Sequence, residues 1–200
     1  TTTQIRYNWT ISTDTESGVE KYLISIGTYA GGISVQNDYD CSTSSWVVVA
    51  GLALQTGTTY YAKVRAKNNA GLYSSYSGNS DGIMVVASSP TTPGTPQDDG
   101  IYLTTTTQIR YNWIISTDTE SGVSSYYISI GSYPGGTNIK NDYETGNTTY
   151  VAVQFIALQT GTTYYAKVRA KNNAGLYSAY SGNSDGIYVD TTVPTTPGTP

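Results

Sequence analysis

Apolar and polar residues alternate with a period of two along much of this chain. Segments 5–11, 22–26 and 60–67 each place an apolar side chain at every second position, which is typical of β-strands with one buried face. Segment 46–50 is apolar on both faces, so its period alone assigns no buried face. Short strands separated by Gly, Asn, Asp and Ser predict an antiparallel β-sandwich. The residues expected in the core are Ile5, Tyr7, Trp9, Ile11, Tyr22, Ile24, Ile26, Val47, Val49, Tyr60, Ala62, Val64, Ala66, Ile83 and Val85.

The first half of the chain is repeated in its second half at a constant offset of 104 residues. Segment 1–9 returns without change as segment 105–113. A repeat of about the length of a domain indicates a tandem pair of one folded unit. The second copy also resolves the ambiguous strand. Gln154 stands where the first copy has Ala50, which assigns that face to solvent.

Prolines and threonines mark the boundary between the two copies. We predict a first domain at 1–90, a Pro/Thr linker at 91–96 and a second domain at 97–190. Segment 191–200 has a similar composition and is expected to be a linker to a further repeat. Proline lacks the backbone N–H and favours extended backbone, so these segments are expected to act as semi-rigid spacers.

The charge and composition of the chain argue against some classes of partner and indicate a location. With ten Lys and Arg residues and a net charge of −4, the chain cannot neutralise a row of phosphates, which argues against nucleic acid. The longest apolar run, 46–54, has nine residues, too few to span a membrane. Twenty Tyr against one Phe, together with abundant Thr, Ser, Asn and Gly, is typical of secreted surface proteins. We therefore predict an extracellular or cell-surface location.

Two motifs carry a resemblance to a known family. Segment 54–60, repeated at 158–164, resembles the fibronectin type III signature, in which a Leu is followed six residues later by a Tyr that opens strand F. The strand B tryptophans, Trp9 and Trp113, and the Ala-x-Asn-x-Ala-Gly end of strand F at 66–71 complete the match.

This resemblance covers both copies and has consequences for the fold. It implies an all-β chain of two tandem seven-stranded antiparallel immunoglobulin-like sandwiches of the fibronectin type III kind. Trp9 and Trp113 are then core residues, and Tyr60 and Tyr164 are tyrosine corners whose hydroxyls bond to nearby backbone. The particular motifs at 14–19 and 80–83 are similar to those of modules in microbial surface and secreted proteins.

The first copy lacks a segment that the second copy has. Segment 97–104 is expected to supply strand A of the second copy, whereas the first copy begins eight residues later in register. A missing edge strand leaves unpaired backbone and an open seam. Either residues precede Thr1, or another chain fills the seam as a donor strand. Further copies of the same repeat or chain are therefore expected partners, by donor-strand or head-to-tail contacts.

The chain offers little catalytic chemistry. It contains no His, and its single cysteine, Cys41, is replaced by Thr145 in the second copy. The paired carboxylates of Asp14 and Glu16 lie two residues apart beside a glycine, which favours a role in shaping a turn. We therefore predict no catalytic residues, no cofactor site and no enzymatic activity.

Four acidic residues are weak candidates for a calcium site. In this fold the start of strand A and the B–C loop share one pole, so Asp98, Asp99, Asp118 and Glu120 could meet there. Hard oxygen ligands suit Ca²⁺, which takes six to eight of them. The alternative is that these are solvated turn acids, since no EF-hand spacing is present.

Exposed aromatic residues could contact glycans, and two sequons could carry them. Trp46 and its counterpart Tyr150 lie on the face assigned to solvent, and the loop tyrosines, such as Tyr73, could also contribute. The alternative is that these tyrosines cover their own domain. Asn8 and Asn147 each begin an Asn-x-Thr acceptor sequence for N-linked glycosylation.

The repeat architecture leads to two functional hypotheses. The first is an extracellular structural or adhesive protein in which such modules form a stalk, sheath or filament. The second is a pair of accessory spacer or carbohydrate-binding modules of a secreted polysaccharide-degrading enzyme. The two differ in what lies outside these 200 residues.

Overall fold

The computed structural model describes residues 2–199, which form two compact units that divide between Ala87 and Ser88. Both units are built from β-strands and turns, as the period of two predicted. None of the described residues belongs to a helix that is long and apolar enough to cross a membrane.

Unit 1 contains six strands arranged in two sheets. They are β1 (Gln4–Asn8), β2 (Val19–Gly27), β3 (Gln36–Asp40), β4 (Trp46–Ala50), β5 (Thr59–Asn68) and β6 (Ile83–Met84). β1 pairs with β4, and the other four strands form a sheet in the order β3-β2-β5-β6, with every pair antiparallel. The two sheets enclose one apolar core.

Unit 2 contains the seven strands expected for each copy. They are β7 (Tyr102–Leu103), β8 (Gln108–Asn112), β9 (Val123–Gly131), β10 (Lys140–Gly146), β11 (Tyr150–Gln154), β12 (Thr163–Asn172) and β13 (Ile187–Val189). β8 pairs with β11, and the larger sheet has the order β10-β9-β12-β13-β7. The β7–β13 pair is parallel, which is an exception to the predicted antiparallel pairing.

The period of two locates most of the core. Of the predicted core residues in unit 1, ten are less than 10% exposed, and Trp9, Val47 and Val64 are partly buried against them. The prediction was wrong for Ile11, which is 64% exposed, and for Ile83, which is 38% exposed. β1 ends at Asn8, so beyond that residue the alternation no longer corresponds to the two faces of a sheet.

A serine at every third position ties the segment 74–80 to β5. Each serine donates its N–H to a carbonyl of β5, and its hydroxyl accepts the N–H of the same β5 residue, at 2.7–3.0 Å. A spacing of three fits the threefold turn of extended polyproline-like backbone. The pairs are Ser74 with Ala66, Ser77 with Val64, and Ser80 with Ala62, and unit 2 repeats them at Ser178, Ser181 and Ser184.

The prolines of segment 90–96 belong to unit 2 and do not form the predicted linker. Pro90, Pro93 and Pro96 are buried. The residue after each proline keeps its N–H, and these N–H groups donate to carbonyls of unit 2 at 2.8–3.0 Å. Because the prolines share one face and the donors another, a segment that cannot form a regular strand still packs as an edge of the sandwich. The donor and acceptor pairs are Thr91 with Thr117, Gly94 with Ile114, and Gln97 with Asn112.

Strand A of unit 2 therefore differs from the prediction of segment 97–104. Its first part is segment 91–97, which lies along the chain from Asn112 to Thr117. Its second part is β7, whose partner is β13 rather than β8, which is strand B of unit 2. Ile101, between the two parts, is 74% exposed.

The two strand B tryptophans differ in burial. Trp113 is 5% exposed and belongs to the core of unit 2. Trp9 is only partly buried against the core of unit 1, although its ring contacts Tyr22 as the ring of Trp113 contacts Tyr126. The prediction of a core position is correct for Trp113 and only partly correct for Trp9, since segment 91–97 covers strand B of unit 2 alone.

Candidate functional site

Tyr150 lies in an open groove on the smaller sheet of unit 2. It begins β11 opposite Asn112 of β8 and is 69% exposed. The groove has a volume of about 330 Å³ and is also lined by Asp99 and Arg110. Arg110 Nη1 lies 4.0 Å from Asp99 Oδ2, so an aromatic face, a cation, a carboxylate and an amide surround one space.

These groups match the chemistry of a sugar ring. A pyranose has an apolar C–H face, which packs on an aromatic ring, and a rim of hydroxyls, which hydrogen-bond with charged and amide groups. The geometry of the Tyr150 groove allows both contacts at once. Its openness favours an extended chain over a small enclosed ligand.

Trp46 is the counterpart of Tyr150 in unit 1. It begins β4 opposite Asn8 and is 51% exposed. The guanidinium of Arg6 lies 5.2 Å from the centre of its ring, a cation–π contact that covers part of one face. Trp46 therefore presents less free aromatic surface than its exposure suggests.

Four of the loop tyrosines beside the larger sheets have a Lys or Arg cation over their rings. Arg65 lies 4.4 Å from the ring centre of Tyr73 and 4.9 Å from that of Tyr76, and Lys63 lies 4.5 Å from Tyr76. In unit 2, Arg169 makes the same contacts with Tyr177 and Tyr180 at 4.2 and 4.9 Å. Such stacked cations rigidify the sheet surface, and they favour a structural role for these tyrosines over glycan contact.

An aspartate in left-handed backbone anchors this stack. Asp38 has a φ of 48°, as does its counterpart Asp142. Asp38 Oδ1 accepts hydrogen bonds from Arg65 Nε at 3.1 Å and from Tyr76 Oη at 2.7 Å, and Arg65 Nη2 contacts Oδ2. Partial burial opposes ionisation, but these hydrogen bonds hold the pKa of Asp38 below its usual value. The network offsets the backbone strain at Asp38.

The four calcium candidates are not brought together. Within residues 2–199 no cluster of three or more acidic, His or Cys side chains could hold a metal ion. Asp118 Oδ1 accepts the N–H of Ser121 at 2.7 Å, and Oδ2 accepts from Asn172 at 3.0 Å. Glu120 accepts the N–H of Ser88 at 3.2 Å. The carboxylate oxygens of Asp118 and Glu120 are therefore hydrogen-bonded within the B–C turn of unit 2 and to residues beside it.

Asp14 has the corresponding role in unit 1. Its Oδ1 accepts the N–H groups of Ser17 at 2.7 Å and Gly18 at 3.0 Å, and its Oδ2 accepts from Asn68 at 3.1 Å. The hydrogen bond from Ser17, with that from Asn68, lowers the pKa of Asp14. A carboxylate held ionised in this way is a turn cap and a poor general base.

Asp98 has an environment unlike that of the turn acids. Its Oδ2 is buried and has no hydrogen-bond partner among the described residues, while Oδ1 accepts the N–H of Gly100 at 3.3 Å. Burial raises the pKa of Asp98, and the nearby charges of Asp185 and Asp99 raise it further.

Replacement of Asp98 by asparagine is expected to stabilise unit 2 at neutral pH. The folded pKa of Asp98 is raised above its unfolded value of about 3.9, so the folded state binds the proton more tightly. Its stability therefore falls as pH rises from about 4 through the folded pKa. Asp98→Asn removes this part of the pH dependence, which urea unfolding of unit 2 across the acidic range measures. Asp99→Asn is the control, since that side chain is 56% exposed. Parallel stability curves for the parent and Asp98→Asn would contradict this assignment.

The two sequons lie on the surface. Asn8 is the last residue of β1 and is exposed, and Asn147 is exposed in the turn between β10 and β11. Both positions are open to a glycan, and the turn at Asn147 leaves more backbone free of strand pairing.

The tyrosines that open β5 and β12 complete the set of predicted residues. Tyr60 and Tyr164 are each 2% exposed. Tyr60 Oη accepts the N–H of Gln55 at 2.8 Å, and Tyr164 Oη accepts that of Gln159 at 2.9 Å. This is the geometry of a tyrosine corner.

Comparison with known proteins adds one curated relative. No protein-family model matches the chain. The chain is similar to Exoglucanase B of Cellulomonas fimi, with 29% identity over 204 residues. The similarity covers 99% of this chain and 16% of that protein, so the chain corresponds to a small part of its relative.

Three solved structures of modular proteins are similar to the chain. The Clostridium thermocellum CbhA fibronectin(III)-like modules give a TM-score of 0.53 at 13% identity, covering 99% of this chain and 92% of that one. The chicken CNTN1 FN1-FN3 domains give 0.56 at 19% identity, covering 94% and 62%. Domains from titin give 0.57 at 17% identity, covering 94% and 59%. The chain therefore has the fold of two tandem β-sandwiches like those of fibronectin type III modules.

Proposed function

We propose that this chain is a pair of non-catalytic, extracellular accessory modules of a glucan-degrading enzyme. The observation that supports this best is the similarity to Exoglucanase B, which covers 99% of this chain and therefore both units. The chain has no histidine, and its candidate acid–base pair is committed to a turn through Asp14. These modules would then contribute to catalysis by positioning the catalytic domain and extending its reach along the glucan.

The groove at Tyr150 gives these modules a surface for the polysaccharide. Among residues 2–199 no Lys or Arg side chain lies over the ring of Tyr150, whereas Arg6 lies over Trp46 and Arg169 over Tyr177. One open aromatic contact supports weak, reversible binding, which allows a module to move along a glucan while a catalytic domain works on it. Unit 2 is therefore the proposed carbohydrate-contacting unit.

Replacement of Tyr150 by alanine is expected to weaken binding to insoluble glucan by about fivefold. A lost stacking contact is worth about 1 kcal/mol, which corresponds to about fivefold in the dissociation constant. The measurement is a pull-down isotherm on cellulose, with Tyr150→Phe as the variant that keeps the ring. Tyr133→Ala is the matched control, since Tyr133 is 58% exposed and lies outside the groove. Equal binding by Tyr150→Ala and the parent would remove the support for this site.

The complete reading frame tests the proposal as a whole. A glycoside-hydrolysing domain in the same polypeptide would support the accessory role. Many further copies of the 104-residue repeat, with no catalytic domain, would favour the second candidate, an extracellular stalk, sheath or filament. The observation that favours this candidate is the repetition of one module at a constant offset with most residues unchanged, because an array of equivalent modules propagates one geometry.

A further inference from the structure

The single phenylalanine of the chain combines a strained backbone with an exposed ring. Phe155 directly follows β11, has a φ of 55° and is 95% exposed. In this left-handed region the Cβ of most residues approaches the following carbonyl oxygen, whereas glycine has no Cβ. The first copy has Gly51 at this position, with a φ of 73°. Unit 2 therefore has both a local strain and an exposed apolar ring that unit 1 lacks at the same place.

A β-bulge explains why this ring is exposed. The last pair between β11 and β8 is Gln154 with Gln108, and the next bond across the sheet joins the N–H of Ile156 to Thr107 at 3.5 Å. Phe155 is thus an extra residue between two consecutive partners, as in the type of bulge that normally has glycine in left-handed backbone. Regular alternation would direct residue 155 into the core. The bulge directs it to solvent and buries Ile156 instead.

The two copies differ at every outward position of this strand and at none of its inward valines. The changes are Trp46 to Tyr150, Val48 to Ala152 and Ala50 to Gln154. Exposure alone does not account for them, because segment 53–74, which includes exposed turns, returns unchanged as segment 157–178. The outer face of β11 therefore has its own chemistry, on a scaffold that both units share.

This face places two aromatic residues at the ends of a polar strip. Tyr150 begins β11, and Phe155 follows its last residue. Between them lie the guanidinium of Arg110 and the amides of Gln108 and Gln154, which belong to successive outward pairs of β8 and β11. At about 3.4 Å per residue in an antiparallel strand, the backbone from the first aromatic residue to the second spans about 17 Å.

We propose that Phe155 is a second aromatic contact for the glucan proposed above to bind at Tyr150, so that unit 2 holds an extended chain of several sugar rings along β11. The apolar C–H faces of two sugar rings pack on the two aromatic rings, and the hydroxyls between them bond with the guanidinium and the amides. A strip of this length exceeds a disaccharide. Cellobiose therefore reaches one aromatic ring, whereas cellohexaose reaches both.

Replacement of Phe155 by glycine separates the strain from the binding. Phe155→Gly restores the residue of the first copy and removes the left-handed strain, so the urea midpoint of unit 2 should rise. The same variant should bind cellohexaose about fivefold more weakly, as expected for one lost stacking contact, while its binding of cellobiose should change little. A gain in stability together with a loss of binding is the result that a residue retained for ligand contact gives. Isothermal titration calorimetry of the 200-residue chain measures the affinities.

Matched variants identify what the ring recognises. Phe155→Tyr keeps the aromatic face and should bind cellohexaose like the parent. Phe155→Leu keeps an apolar side chain in the same backbone and should bind as weakly as Phe155→Gly. Tyr133→Ala removes an exposed ring outside the strip and should leave binding unchanged. Gly51→Phe introduces the same strain into unit 1 and should lower the urea midpoint of that unit.

The outcomes distinguish this proposal from the proposed function on which it rests. If Tyr150→Ala weakened binding and Phe155→Gly did not, the second contact would be overturned and the glucan contact of Tyr150 would stand. If the parent bound neither cellohexaose nor cellulose, both would be overturned. If Phe155→Leu bound cellohexaose as tightly as the parent, the ring would not stack on a sugar, and an apolar protein surface would replace glucan as its partner.

Discussion

Replacement of Trp113 by alanine is expected to lower the unfolding free energy of unit 2 by about 3–5 kcal/mol. This is the usual cost of deleting a large buried aromatic side chain, and Trp113 is 5% exposed in the core. The same replacement at Trp9 should cost unit 1 less, because that ring is only partly buried. Denaturant unfolding of each single variant, with the transition of the unchanged unit as internal reference, measures both effects.

The comparison of the two tryptophans isolates the contribution of the Pro/Thr segment. Both rings follow the same strand and pack against equivalent tyrosines, so their difference reflects what covers them. Equal costs for Trp9→Ala and Trp113→Ala would show that segment 91–97 contributes little to the core of unit 2. A smaller cost at Trp113 than at Trp9 would contradict the burial of the two rings.

The sequence predicted the regular strands because their side chains obey a period of two. Ile24 and Ile26, both 0% exposed, were located by this period. The assignment of Trp46 to solvent relied on comparing the copies, since Gln154 marks that face as polar. Ile11 was placed wrongly because periodicity does not reveal where a strand leaves its ladder.

The segments with a period of three could not be predicted in the same way. Proline at every third residue indicates a linker when only the missing N–H groups are counted. Segment 91–97 nevertheless uses its remaining donors, at Thr91, Gly94 and Gln97. The serine segment 74–80 has no apolar face, and its attachment to β5 depends on hydroxyl groups that a pattern of hydrophobicity does not record.

The candidate site was predicted only in part, because the sequence did not show that the Pro/Thr segment packs against unit 2. The exposure of Tyr150 follows from the sequence, and the groove around it does not. Asp99 reaches the groove through the turn that follows the Pro/Thr segment, and it meets Arg110 of β8 there. Asp98 and Asp99 were predicted to lie at the start of a strand A running from 97 to 104, beside the B–C loop, and for that reason they were weak candidates for a calcium site. The structure places Asp99 at the groove and Asp98 in a partly buried position.

Replacement of Tyr164 by phenylalanine is expected to lower the unfolding free energy of unit 2 by about 1–3 kcal/mol, the cost of leaving a protected donor without its partner. Tyr164 is 2% exposed, and its hydroxyl accepts the N–H of Gln159 at 2.9 Å. The ring remains in the variant, so the effect reports the hydrogen bond rather than the packing. Denaturant unfolding measures it, and Tyr60→Phe should have a similar effect on unit 1.

Tyr150→Phe is the matched control for the tyrosine corner. It removes the same hydroxyl from a side chain that is 69% exposed, and surface changes of this kind stay within about 0.5 kcal/mol. If Tyr164→Phe were as stable as Tyr150→Phe, the turn before β12 would be held by its backbone bonds alone, such as Leu158 N–H to Thr106 at 2.8 Å. A large loss at Tyr164 with none at Tyr150 would instead show that one buried hydroxyl joins that turn to the core. The same variant pair separates stability from binding, since Tyr150→Phe keeps the aromatic face proposed to contact glucan.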